Sequence, residues 1–162
     1  MSKANEFIVS NVVLSELIGA VTGKNKSLRF EAKGFSMFPF ICNGDIVTVS
    51  PFSNAIDVGQ AVIFTQPRTQ ALILHRVVGK KANNYIIKGD NALAIDAAVP
   101  GQNILGYVSG LERKGRRITL GLGKERYLIV FLSRTRILPL FFRLTRLVPY
   151  PLREFLRQRM FK

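Results

Sequence analysis

Apolar and polar positions alternate along most of the first 120 residues, in short runs separated by turn-forming residues. A first stretch, residues 5–22, breaks this rule. Phe7, Val12, Leu14, Leu17, Ile18 and Val21 recur at three- and four-residue steps, which predicts a short amphipathic helix. Gly23 and the cluster Lys24-Asn25-Lys26 end it. Strands follow. Leu28–Ala32 places Leu28, Phe30 and Ala32 on one face and Arg29 and Glu31 on the other. Further strands are expected over Ile46–Ser50, Ala61–Thr65, Leu72–Val78, Tyr85–Lys88, Gly106–Glu112 and Arg116–Leu120, rich in Val, Ile, Phe and Tyr. Lys114-Gly115 has the chemistry of a hairpin tip. Asn43-Gly44-Asp45, Asp57-Val58-Gly59 and Lys88-Gly89-Asp90-Asn91 have that of turns. The pattern predicts a mainly β fold, a small coiled sheet or barrel-like domain over residues 28–123, preceded by the helical segment 1–27.

Beyond residue 124 the pattern changes again. Pro139, Pro149 and Pro151 divide residues 124–162 into short pieces. Arg143, Arg146, Arg153 and Arg157 share roughly one helical face, and Leu140, Phe141, Leu144, Leu147 and Val148 take the other. A basic amphipathic helical tail is expected there. Charge sharpens this division. The chain of 162 residues carries a formal +14. From Glu112 onward 14 Lys or Arg face three Glu, a net +11, which leaves +3 for everything before. Such a field draws anionic lipid or nucleic acid. The tail's phenylalanines lie among bulky aliphatics rather than polar residues, which favours an anionic membrane surface over bases, with a helical hairpin packed on the catalytic domain, its arginines in water, as the alternative. No apolar run approaches the roughly 20 residues of a spanning helix, and no classical signal peptide opens the chain. The expectation is peripheral or monotopic association with a membrane by a protein otherwise cytoplasmic.

Composition removes several other classes. At 48% hydrophobic residues the chain is not a disordered polymer. One cysteine, Cys42, allows no internal disulfide, and one Cys with one His cannot build a tetrahedral metal site. No metal and no cofactor is therefore expected. Cys42 follows Phe40-Ile41, which offer nothing to stabilise a thiolate, and reads as a small buried hydrophobe.

The chemistry concentrates in three segments. Gly34-Phe35-Ser36-Met37-Phe38-Pro39, with Gly44-Asp45 five residues on, places a serine on backbone that must turn sharply. Met37 and Phe38 either line a substrate cleft or fill the core. His75, the only histidine, opens His75-Arg76-Val77-Val78. It is the one imidazole able to accept a hydroxyl proton near neutral pH, or else a strand histidine bonded to backbone. Asp90 and Asp96 supply carboxylates that can orient it, or are turn residues.

In this order, G-x-S-M-x-P, G-D, H-R-V, G-D-N and D, residues 28–108 resemble the signal peptidase I and LexA-like clan of serine peptidases. His75-Arg76-Val77 resembles the histidine-base type found in archaeal and endoplasmic-reticulum signal peptidases, rather than the lysine-base type of bacterial leader peptidases and LexA. The resemblance implies Ser36 as nucleophile, His75 as general base and Asp96, six residues after Asp90, as the orienting acid. Gly34, Pro39, Gly44, Asp45, Gly89 and Asp90 then belong to the structural motif. Asp90 is the second choice for the acid. Gly34 replaces the serine that such signal peptidases carry two residues before the nucleophile, so the oxyanion would rest on main-chain N–H groups, that of Ser36 among them. Lysine bases are disfavoured: Lys80 and Lys81 adjoin an expected turn, and Lys88 reads as structural. The implied activity is endoproteolysis of a leader or signal segment. A LexA-type self-cleaving regulator and a non-catalytic binding module are the alternatives, although residues 1–27 are short for a DNA-binding domain.

Overall fold

The computed structural model describes residues 11–53, 55–96 and 98–135, with 137 and 140. Helix α1 (Asn11–Gly23) is followed by strands β1 (Leu28–Glu31), β2 (Ile46–Ser50), β3 (Ala61–Thr65), β4 (Leu72–Lys81), β5 (Asn84–Lys88) and β6 (Val99–Pro100). A 3₁₀ turn (Gly101–Asn103), β7 (Ile104–Arg113), β8 (Arg116–Arg117) and helix α2 (Arg126–Arg134) complete the described chain. Residues 5–10 of the expected first helix, and most of the basic tail from 136 on, lie outside the described residues.

All strands join one antiparallel sheet in the order β1-β2-β7-β3-β4-β5-β6. β7 pairs with β2 along one edge, and with β3 and then β8 along the other. Register shifts at Thr48/Val49, Ile63/Phe64 and Val77/Gly79 add local twist, and the sheet curls. The mainly β, coiled architecture expected from the sequence is what forms.

Curling gives the sheet two apolar faces. Val47, Val49, Ala61, Ile63 and Leu111 pack with α1, which contributes Ile18, and with Met37 and Ile41 from the turn after β1. Val62, Phe64, Val77, Ile87, Val99 and Ile104 pack on the opposite face. α1 ends where Asn25 takes a left-handed conformation and the Lys26 N–H closes onto the Val21 carbonyl.

Loops outnumber strands, and interior cations hold them. The Arg76 side chain is fully buried. Its guanidinium donates to both carboxylate oxygens of Asp90 at 2.8–3.1 Å, and to the Gly59 and Gly121 carbonyls at 2.7 Å each. It also lies 5.7 Å from the Phe40 ring centroid. One side chain thus joins the turn before β3, the turn after β5 and the approach to α2. Arg113 does the same for the front turn, gripping the buried Asp45 twice at 2.8 Å and reaching the Pro39 and Phe40 carbonyls. The buried Lys88 ammonium donates to the main-chain and side-chain oxygens of Ser133 in the last turn of α2, the negative end of that helix.

Glu125, at the start of α2, turns its carboxylate back to accept from the Gly121 and Gly123 N–H groups. Its own main-chain N–H, with those of Gly123 and Gly121, holds its pKa below the ordinary 4.5. A carboxyl depressed by folding stabilises the fold above its ordinary pKa, and that contribution disappears as pH falls through the folded value. Glu125→Gln is therefore expected to lower stability at neutral pH. The difference from wild type should close as denaturation is repeated below about pH 4.5. Asp90→Asn leaves the Arg76 charge buried and uncompensated. It should cost about 3–5 kcal/mol in chemical denaturation, with little change in the urea m-value.

Candidate active site

The turn after β1 is built to keep Ser36 outside. Gly34 and Gly44 both adopt positive φ, 99° and 87°, where a β-carbon is strained. The Gly34 N–H donates to the Asn43 side chain at 3.0 Å, and the Gly44 N–H to the Ala32 carbonyl at 2.9 Å. Asp45 closes the same loop by accepting from the Cys42 N–H at 2.7 Å. The Phe38-Pro39 peptide is cis. Met37 is 4% exposed and packs in the core beside Ile41 and Ala32. Of the two roles open to it, cleft lining and core, it therefore takes the core. An apolar side chain with that much interior contact pins the turn, which leaves its neighbour Ser36 exposed. Phe38 is half-buried and Phe35 stands in solvent.

β4 carries the other side of the site. His75 pairs across the sheet with Val62 and lies near Phe64, on the face of Val77 and Ile87. Arg76, the next residue, points to the opposite face. Two carboxylates emerge from the turn after β5, and this alternation separates them. Asp90 goes to Arg76. Asp96 goes to His75, with Oδ2 2.6 Å from Nδ1. The Asp96 N–H donates to the Ile87 carbonyl at 2.9 Å, which fixes its approach. An ionised carboxylate only accepts, so in a neutral ring facing one Nδ1 carries the proton and Nε2 the lone pair.

Nε2 and the serine turn meet at Gly89. A β-carbon on Gly89 would lie 2.8 Å from the Ser36 carbonyl oxygen and 3.0 Å from His75 Nε2. Both atoms thus border one small space that only glycine leaves open. The Ser36 carbonyl accepts from the Asn91 N–H at 2.8 Å, and the Asn91 side-chain amide donates to the Phe35 carbonyl at 3.3 Å. Gly89-Asp90-Asn91 is therefore the strap that lays the serine turn against the imidazole. Among the described residues, no hydrogen bond engages the Ser36 hydroxyl or its main-chain N–H.

Other candidates sit elsewhere. Lys88 lies opposite Arg76 on β5 and so shares Arg76's face, away from His75. Lys80 and Lys81 are in β4, past its bulge, paired with Tyr85 and Asn84. Burial pushes the Cys42 thiol above its ordinary value, and its Sγ lies 3.5 Å from the Pro39 carbonyl. No group of His, Cys, Asp and Glu suited to a metal ion occurs among the described residues. The residue that pattern reading left without a role is Arg76. A charged side chain set directly before Val77-Val78 in a strand of apolar residues was the available signal, since burial demands a partner.

No curated protein matches the chain at a significant level. A family model described as Peptidase S24-like matches residues 4–108. That span takes in Ser36, His75, Asp90 and Asp96 and stops within β7, so β8 and α2 lie beyond it. With most of the chain matched, and with a serine turn, an imidazole and a carboxylate converging within the matched span, the chain belongs to the Peptidase S24-like family, in the clan of LexA and signal peptidase I.

Proposed function

We propose that this protein is a serine endopeptidase of the histidine-base type, which removes a leader or signal segment from a peptide or protein. The observation that carries the reading is the 2.6 Å contact between His75 Nδ1 and Asp96 Oδ2, on a ring whose Nε2 borders Gly89 together with the Ser36 carbonyl. Ser36 Oγ attacks the scissile carbonyl carbon and passes its proton to Nε2. Asp96 stabilises the imidazolium so formed. The oxyanion accepts from the outward main-chain N–H of Ser36, in keeping with the absence of a side-chain donor at Gly34. The C–N bond then breaks, and the amine leaves with the proton held on Nε2. Water, deprotonated by the same ring, releases the acyl group and restores the serine. The attack requires Ser36 Oγ and Nε2 to come within hydrogen-bond reach of each other. Such contacts commonly tighten when substrate binds.

A second reading keeps the chemistry and changes the substrate, namely self-cleavage as in LexA-type proteins. The family assignment favours it as much as cleavage in trans.

Purified full-length protein is expected to cleave members of a leader-peptide library and to be labelled by an acylating ester probe. Both should be lost in Ser36→Ala and in His75→Ala while thermal unfolding is unchanged. Asp96→Asn should cut the cleavage rate about 10⁴-fold. Labelling that persists in Ser36→Ala would overturn the assignment. Intramolecular nicking at a rate independent of protein concentration, without cleavage of added peptides, would replace the first reading with the second.

Gly89→Ala tests the geometry separately. The added methyl has no flexible neighbour to displace on the Ser36 side, where it meets main chain. A fall in kcat of about 100-fold with little change in KM is expected, as for a nucleophile misplaced by about 1 Å.

A further inference from the structure

Helix α2 is amphipathic in a way the fold does not use. Ile129, Val130 and Ser133 are buried against the sheet. The opposite stripe, Tyr127, Leu128 and Phe131, projects into solvent, with Leu128 60% and Phe131 61% exposed. Cations bound this stripe, Lys124 and Arg126 at its start and Arg134 at its end. Of the acids nearby, Glu125 is folded back onto the Gly121 and Gly123 amides and puts no carboxylate on the stripe, while Asp57 lies 3.8 Å from the Arg126 guanidinium. At the far end Arg134 lines a depression of about 270 Å³ together with Lys88, Leu93 and Ile95. Leu93 and Ile95 are themselves exposed, Ile95 by 56%, and belong to the loop that delivers Asp96. Arg134, at the end of the stripe, thus links it to the rim of the loop that carries Asp96.

We infer that this surface, α2's outer stripe joined to Leu93 and Ile95, docks on a lipid bilayer with anionic headgroups. A helix face of bulky aliphatic and aromatic side chains flanked by Arg and Lys is at its lowest free energy in the headgroup–acyl boundary, with apolar groups below and cations among the phosphates. The charge decides between anionic and neutral lipid. Of the last 29 residues, from Arg134 on, eight are Lys or Arg and one is Glu. Basic residues close to an anionic surface bind it in proportion to their number. The same face would serve stacked nucleobases less well than lipid, since Tyr127 and Phe131 are set among Leu128, Leu93 and Ile95, which offer neither a ring nor a polar groove. No helix among the described residues is long and apolar enough to cross a membrane, so this contact is interfacial. Docked this way, the protein holds Asp96 and its loop at headgroup level. α2 lies beyond the span matched by the family model, while Leu93 and Ile95 lie within it.

Sedimentation of the full-length protein with vesicles tests this without any appeal to peptidase activity. Wild type is expected to bind mixed phosphatidylglycerol–phosphatidylcholine vesicles and to bind pure phosphatidylcholine vesicles at least about tenfold more weakly. The double variant Leu128→Glu/Phe131→Glu should lose about tenfold or more in partitioning to the mixed vesicles, and Ile95→Asp about threefold. Thermal unfolding checks that the variants fold. Should the double variant not fold, Ile95→Asp and Arg134→Glu carry the test. Failure of wild type to sediment, equal binding to both lipids, or variants that bind like wild type would overturn the inference. So would a wild-type dimer that the double variant dissociates with vesicle binding unchanged, since the stripe would then be a contact between protein copies.

Discussion

Arg76 and Asp90 form the interaction on which the rest of the structure depends. An ion pair taken fully out of water is costly unless every polar atom finds a partner. Here the guanidinium meets a carboxylate on one side and two main-chain carbonyls on the other. Those partners come from three turns remote in sequence, at Gly59, Asp90 and Gly121. The pair is poor as a source of raw stability. Its value lies in where it fixes these turns, and above all in where it leaves Gly89 and Asn91, the residues against which the serine turn rests.

The same economy recurs through the fold. Strands of four or five residues cannot by themselves order loops as long as those that carry Ser36 and Asp96. Arg76 and Arg113 each reach from a strand into irregular segments and satisfy their carbonyls or carboxylates, and Lys88 does the same for the last turn of α2. Strand alternation then separates structure from chemistry. On β4 one residue, Arg76, takes the structural carboxylate on one face. Its neighbour His75 takes Asp96 on the other.

Much of this was legible in the sequence, and the failures have physical causes. Short runs rich in Val, Ile and Phe between turn signals locate Ile46–Ser50 and Ala61–Thr65 to the residue. Lys114-Gly115 does form a hairpin tip, both residues at positive φ. β7 begins at Ile104 rather than Gly106, because glycine reads as a strand breaker. Here it admits close approach instead: a β-carbon on Gly106 would come within 2.7 Å of the Ser50 carbonyl oxygen. β4 runs on to Lys81 past Gly79, where a bulge absorbs the glycine. β8 stops at Arg117, shorter than the run to Leu120 suggests, and β6, two residues ending in proline, carries no pattern to read. Spacing alone left Asp90 and Asp96 equivalent as partners for His75. Only resemblance preferred Asp96, and only the face each side chain occupies on a folded β4 explains the preference. The charge of Arg76 in an apolar strand signals that it needs a partner, but two of its partners, the Gly59 and Gly121 carbonyls, are groups that every residue possesses and that no pattern marks.

The central claim is that Asp96 holds a single tautomer of the only imidazole in the chain. Because His75 is unique, one ¹⁵N-labelled histidine gives a spectrum without overlap. With the ring neutral, nitrogen-detected NMR should show the proton on Nδ1, with a far-downfield, slowly exchanging resonance. That resonance should survive Ser36→Ala and vanish in Asp96→Asn. A proton found on Nε2, or a ring in fast tautomeric exchange in the wild-type protein, would contradict the account.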